Sequence, residues 1–362
     1  MILNSIKKIN TSGFVSCGFR SLGASFLVKN MSFCPLKTPP IVFKINAPQQ
    51  FSQDLVNKLQ CQFSSTSLSI IKNFKPTSYQ HLESQQDFFE KLLNKYPEFK
   101  QQIEQASNSS IVLISGLKVP DLLDGEVPTS KYEANQIYNY PQTKIAELVA
   151  GLMVNKFVNY SDRRRIFDAI YPTNQDVDRN DSFASSKELL WHNDGWAQDP
   201  EGQVALFCIN GNKSAITEVI NSQQIIDYFK SHNKEHLLMA LHDDFEIVAG
   251  GEEYFRQRTK ILDKDKIRYA KYGKFISLRG DKKLRHEAKE AIDELNKCLE
   301  NIVPALSLSL QNGDLLLIDN TKNLHRRKTA DSELAMKPGS RLLFRARIED
   351  SRKNNESKNL QR

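Results

Sequence analysis

A chain of 362 residues with 40% apolar and 26% charged side chains has the balance of a globular protein rather than a disordered or fibrous one, and is long enough for one large domain or two ordinary ones. Five cysteines (Cys17, Cys34, Cys61, Cys208, Cys298), without a CxxC pair, argue against a disulfide scaffold or a zinc knuckle and suit a reducing compartment. The formal charge of +7 is scattered, and its densest run, Arg163-Arg164-Arg165, has no zinc-finger, RNP-like or Gly-rich phosphate-loop pattern beside it, so no nucleic-acid partner is expected.

No apolar stretch reaches the roughly eighteen residues that a membrane span needs. The chain starts with no Asp or Glu from Met1 to Gln53, while Lys7, Lys8, Arg20, Lys29, Lys37 and Lys44 are basic and Ser is frequent. This predicts an N-terminal extension over 1–50, either disordered or a transit segment, and hence a cytoplasmic or an organelle-matrix location. Arg20 interrupts the one apolar stretch that a secretory signal would use.

From Phe51 to about Ser107 the spacing predicts helix, with Phe88, Phe89, Leu92, Leu93, Tyr96 and Phe99 recurring every three or four residues. Ser110 to Gly116 reads as a short buried strand and Thr143 to Val158 as another helix. Val204–Ile209 and Ser214–Ile220 read as strands joined by a hairpin-like turn at Asn210-Gly211-Asn212-Lys213. His286–Ile302 is an amphipathic helix. Leu306, Leu308 and Leu310 alternate into a tight turn at Asn312-Gly313, and two strands follow, Asp314–Asn320 and Arg341–Ile348. Short strands separated by turns, with a few covering helices, predict an α+β fold with a mainly β core: a double-stranded β-helix (jelly-roll, cupin-like) with flanking helices. The expected division is a single domain over 51–350, its core at 110–348, and a polar tail over 351–362.

Chemistry enters at Trp191-His192-Asn193-Asp194-Gly195-Trp196. On a strand, side chains two apart share a face, so His192 and Asp194 would present an imidazole and a carboxylate together. The pattern is not specific, because His81-Leu-Glu83 and His242-Asp-Asp244 repeat it. On the last strand Arg341, Leu343, Arg345 and Arg347 share one face, with Arg341 and Arg345 about 13 Å apart. Arginines turned into a barrel would demand anions, and planar carboxylates match their fork. With His325 just past the Gly313-Asp314 strand, the order His-x-carboxylate, distant His, Arg-bearing strand matches the two-His-one-carboxylate triad of non-haem Fe(II) oxygenases.

These residues carry a resemblance to the Fe(II)- and 2-oxoglutarate-dependent dioxygenases of the TauD-like superfamily, closest to its clavaminate-synthase-like amino-acid hydroxylases. The likeness rests on Ser182–Asp194, the strands running to Thr217, Gly313–Asn320 with His325, and Arg341-Leu-Leu-Phe-Arg345, and spans about 110–348. It implies His192, Asp194 and His325 as catalytic metal ligands, Arg341 on the far carboxylate of 2-oxoglutarate with Thr217 nearby, and Arg345 on a substrate carboxylate. It also selects His192 among the three His-x-acid matches. Fe(II), 2-oxoglutarate and O2 are then the implied cofactors, and a small carboxylate-bearing molecule, best taken as a free L-amino acid, the implied partner for hydroxylation. Two departures stand out: Asp194 where this branch commonly has Glu, and Arg326 where a Gly usually follows the distal His. The segment Phe275–Lys283 falls where relatives contact the far end of the substrate, and its basic character argues against a guanidinium substrate. A sulfonate, a carnitine precursor caged by Trp191 and Trp196, a protein side chain, and a cupin-like binding protein without turnover are the competing readings.

Overall fold

The computed structural model describes residues 39–64, 79–119, 141–157, 168–171, 188–197, 202–211, 215–249, 255–301, 304–328 and 341–348. All of them belong to one compact unit, Leu36–Arg362. The expected extension up to residue 38, the Arg163–Arg165 run, residues 182–187 of the resemblance and the tail over 351–362 lie outside the described residues.

The chain opens with strand β1 (Phe43–Asn46), helices α1 (Gln49–Ser64), α2 (Tyr79–Leu93) and α3 (Pro97–Ala106), strand β2 (Ile111–Ser115) and helix α4 (Pro141–Val154). Strands β3 (Asp168–Ile170), β4 (Leu189–His192), β5 (Gln203–Asn210) and β6 (Ile216–Asn221) follow, then helices α5 (Ser222–Ser231) and α6 (Glu235–Leu241). Next come strands β7 (Asp244–Ala249), β8 (Phe255–Lys260), β9 (Leu262–Asp263), β10 (Lys266–Ile267) and β11 (Lys274–Ser277), and helix α7 (Lys282–Asn301). Strands β12 (Leu306–Ser309), β13 (Leu315–Asp319), β14 (Asn323–Arg327) and β15 (Leu342–Ile348) close the fold.

Two sheets form its centre. One has six strands in the order β1-β2-β13-β5-β15-β3, the other four in the order β12-β6-β14-β4. Within them only the β1–β2 pair is parallel. Period-two alternation decides what each face of the six-stranded sheet does. Ala205, Phe207, Leu315, Leu317, Phe344 and Ala346 pack under α1 to α4, against Phe51, Leu55, Phe89, Phe99 and Val149. Their neighbours Val204, Leu206, Leu316, Ile318 and Leu343 face the other way and meet Val219 and Leu308 of the four-stranded sheet. Behind that second sheet, Trp191, Ile220 and Leu324 pack against Phe229, Leu238 and Leu295 of α5, α6 and α7. The functional residues thus sit between two layers whose outer faces are each sealed by helices.

Three expectations change. The strands on either side of Asn210–Lys213 do not form a hairpin: β5 belongs to the six-stranded sheet and β6 to the four-stranded one, and β12 and β13 divide in the same way. Both connections carry the chain between sheets, and they brace each other, since Gly211 N–H donates to Asn312 Oδ1 at 2.7 Å. Gly313 is required there: its φ is +83°, and a Cβ would lie 1.8 Å from the Leu117 carbonyl oxygen. Second, β1 falls inside the stretch assigned to an extension and pairs with β2, so the ordered sheet begins before residue 50. Third, the sheet β11-β7-β8 was not anticipated: β8 reads Phe-Arg-Gln-Arg-Thr-Lys with little apolar pattern, and the alternation of β7, with Phe245 and Ile247 buried, runs over few residues.

Candidate metal and anion site

The site lies on the inner face of the four-stranded sheet. His192 ends β4 and His325 is the middle residue of β14, and the two are register partners with ring centroids 4.4 Å apart. Asp194 is not on the strand, contrary to the period-two argument: β4 stops at His192 and Asp194 stands in the turn that follows, with Gly195 at φ +71°. Its direction comes from buried amides instead. Asp194 N–H donates to Asn320 Oδ1 at 3.0 Å, and Asn320 Nδ2 donates to the Asp194 carbonyl at 2.8 Å. Asn193 Nδ2 donates to the carbonyls of Asn320 and Asn323 at 2.6 and 2.8 Å, and its Oδ1 accepts from Tyr269 N–H at 2.8 Å. These asparagines were not anticipated as site residues. The one signal for them was a polar residue between two expected ligands and another at the end of an apolar strand.

His192, Asp194 and His325 each offer a ligand atom within 4.8 Å of the other two, and they are the one such group among the described residues. His192 Nε2 stands 3.6 Å and His325 Nε2 4.0 Å from Asp194 Oδ1. His192 Nδ1 lies 2.7 Å from the Leu190 carbonyl; a proton held there leaves Nε2 as a lone pair. Burial, with the charge of His192, pushes the His325 imidazole down to about 3, so it is a neutral donor at physiological pH. Burial alone would raise the Asp194 carboxyl, but Arg345 and the two histidines outweigh it and hold the group well below the usual carboxylate range. Asp194 Oδ2 is buried without a hydrogen-bond partner, a cost that a coordinated cation would remove. Two imidazoles and one carboxylate on a shared face fit a divalent iron-type ion.

Arg341 and Arg345 reach the same cavity from the opposite sheet. It is an open pocket of about 410 Å³, its mouth included, lined by His192, Asp194, His325, Thr217 and the arginines, with Ile170, Leu206 and Leu343 as apolar wall. Arg341, buried, donates from Nη2 to Thr217 Oγ1 at 3.2 Å; burial pushes its guanidinium down to about 10. Arg345 Nη1 donates to Asp194 Oδ1 at 3.2 Å, so the residue expected on a substrate carboxylate here lies against the acidic ligand candidate. Arg327, buried, also lines the cavity opposite Thr217, and burial followed by the charge of Arg341 pushes it down to about 9. The resemblance marked Arg327 as fitting the family's His-x-Arg pattern but gave it no binding role. Period two from His325 was the available signal.

Other candidates resolve elsewhere. His242 caps the C-terminus of α6, and His81 lies within α2. Trp191 is fully buried in the core with the Arg326 guanidinium 4.5 Å over its ring, which removes it from any aromatic cage; Trp196 packs on Tyr272 and Phe275. In Phe275–Lys283, Lys282 and Lys283 are exposed and Arg279 pairs with Asp243, so these charges do not line the cavity.

The model of the family described as taurine catabolism dioxygenase TauD, TfdA family, matches residues 139–347. No curated protein matches the chain. Among solved structures, asparagine oxygenase in complex with Fe(II), 2S,3S-3-hydroxyasparagine and succinate is similar at a TM-score of 0.64 and 14% identity, covering 85% of this chain and 93% of that one. The non-heme iron oxygenase OrfP in complex with Fe and alpha-ketoglutaric acid is similar at 0.57 and 15%, covering 88% and 96%. OrfP with Fe, succinate and (3S)-hydroxy-L-Arg is similar at 0.62 and 14%, covering 86% and 96%. At such identities the likeness is one of fold.

Proposed function

Because this chain belongs to the TauD/TfdA dioxygenase family and is therefore a 2-oxoglutarate-dependent oxygenase, we propose that it hydroxylates a small carboxylate-bearing molecule, a free L-amino acid being the favoured substrate. The fold is read as a double-stranded β-helix, in keeping with two facing sheets between which the chain crosses after β5, β12 and β13. Residues 51–350 are read as a single catalytic domain, with β1 attached to its edge.

The observation that carries the proposal is convergence. A His pair and a carboxylate with an unsatisfied oxygen share one cavity with Arg327, Arg341 and Arg345. His192, Asp194 and His325 would hold Fe(II), which supplies dioxygen activation and oxidative decarboxylation of 2-oxoglutarate to succinate and CO2. Arg341 and Thr217 form the corner suited to the distal carboxylate: a planar guanidinium fork with a hydroxyl beside it, in a desolvated wall where a charge-assisted bond is strong. Arg345 would release Asp194 Oδ1 to the metal and take a substrate carboxylate, aligning one C–H bond of the substrate by fixing its acid end. The apolar wall excludes water from that bond. Among the described lining residues the one carboxylate is Asp194, so a cationic substrate side chain would find no partner there, which favours a neutral or acidic one.

The test is a succinate-release screen of anaerobically loaded protein over free amino acids and related small acids, with mass spectrometry for the gain of one oxygen. The expected result is stimulation by a neutral or acidic amino acid. Release by no small acid, despite a visible Fe(II)–2-oxoglutarate charge-transfer band, would overturn the substrate reading.

A further inference from the structure

We infer that Arg326 is a positioning residue: its guanidinium, on the far side of the sheet from the cavity, sets the spacing of the strands that carry His192, Thr217 and His325. The inference rests on the reading of His192, Asp194 and His325 as metal ligands.

Strand alternation turns each immediate neighbour of a cavity residue to the outer face. Trp191 adjoins His192, Glu218 adjoins Thr217, and Arg326, which itself borders the cavity while its guanidinium makes its contacts on the outer face, lies between His325 and Arg327. On the outer face these three neighbours meet. Arg326 Nε donates to Glu218 Oε2 at 2.6 Å, and Nη1 donates to Glu188 Oε1 at 3.1 Å and Glu300 Oε2 at 2.9 Å. Its guanidinium carbon lies 4.5 Å from the centre of the Trp191 ring. Glu218 also accepts from Ser307 Oγ on β12 at 3.0 Å and pairs with Lys328 at 3.2 Å. Glu300, on α7, pairs with Lys271 at 2.7 Å, and the Lys271 backbone N–H donates to the Trp191 carbonyl at 2.9 Å. From β14, one charge therefore reaches β4, β6 and α7 directly, and β12 through Glu218.

A rigid planar fork has few arrangements that satisfy several carboxylates and a ring face together, so it defines strand spacing more narrowly than apolar packing does. A buried cluster of this kind adds little net stability over apolar packing, yet removing one member leaves charges without partners. The 4.0 Å from His325 Nε2 to Asp194 Oδ1 and the 4.4 Å between the two imidazole centroids cross from β14 to the β4 side, and Arg326 spans the same pair of strands.

The test is anaerobic titration of the full chain with Co(II), read by its visible ligand-field band, for the wild type, Arg326→Lys, Arg326→Met and Lys271→Met, with melting temperatures taken in parallel. Arg326→Met should weaken Co(II) binding about 10- to 100-fold and alter the band, Arg326→Lys should recover part of the affinity, and Lys271→Met should change it less than about twofold. Unchanged Co(II) affinity and band in Arg326→Met overturns the inference whatever its melting temperature. Should Arg326→Met fail to fold, Glu218→Gln carries the test: weakened binding supports the inference and unchanged binding overturns it. A wild type that binds no Co(II) overturns the metal reading and the inference together, whereas a binding wild type with an indifferent variant overturns the inference alone.

Discussion

Arg326 and Arg327 are neighbours in sequence, both are buried, and they do opposite things. Arg326 faces outward from the four-stranded sheet and meets Glu218, Glu188 and Glu300. Arg327 faces the cavity beside Arg341, and burial with that like charge pushes it down to about 9. On one face the positive charge is balanced by the protein's own carboxylates. On the other, Arg327, Arg341 and Arg345 line a cavity whose one described lining carboxylate is Asp194. The comparison teaches that burial of an arginine does not by itself mark function; what stands opposite it does.

The largest effect belongs to the cavity face. His325→Ala or His192→Ala should abolish succinate release while the circular-dichroism spectrum stays native; retained turnover in either would break the division of labour between the faces. Next, Arg341→Ala should raise the 2-oxoglutarate requirement about 10- to 100-fold, the worth of a charge-assisted pair of about 1.5–3 kcal/mol, with a smaller change in kcat. A change confined to kcat would remove Arg341 from the cosubstrate corner.

The outer face should answer to pH. Burial would raise Glu218, but Arg326, Lys328 and Ser307 hold it lowered; Glu300, which burial would likewise raise, is held lowered by Lys271 and Arg326. A carboxylate lowered in the folded state stabilises it above the unfolded value of about 4.3 and loses that contribution as pH falls through the folded value. Glu218→Gln should therefore flatten the acid limb of the stability curve below about pH 4.3, measured by denaturant titration; an unaltered limb would mean that the cluster does not hold Glu218 ionised. The smallest effect is expected for Lys271→Met, which removes a partly exposed pair with Glu300 and should cost under about 1 kcal/mol.

Much of this was legible in the residues. Ser110–Gly116, Val204–Ile209, Asp314–Asn320 and Arg341–Ile348 foretold β2, β5, β13 and β15, because buried strands are short, apolar and bounded by turn residues. The spacing of Phe88 to Phe99 foretold α2 and α3. His192, Asp194, His325, Thr217, Arg341 and Arg345, named through the resemblance, do meet at one cavity. The sheet of β7, β8 and β11 was missed because β8 is mostly polar and the alternation of β7 is short, and the two Asn-Gly connections misled because a tight turn between apolar strands has the same local chemistry whether the strands pair or part.

The sequence by itself determined the more apolar strands and the amphipathic helices that it named, and that an imidazole–carboxylate pair and an arginine pair exist. Those are consequences of period and residue type, which are local. The tertiary structure decided that β5 and β6 lie in opposite sheets, that Asp194 is aimed by Asn320 rather than by a pleat, that Arg345 lies on Asp194, and that Arg326 turns away from the site it flanks. Each depends on which distant segment supplies the partner, and a contact between residues a hundred or more positions apart leaves no local mark.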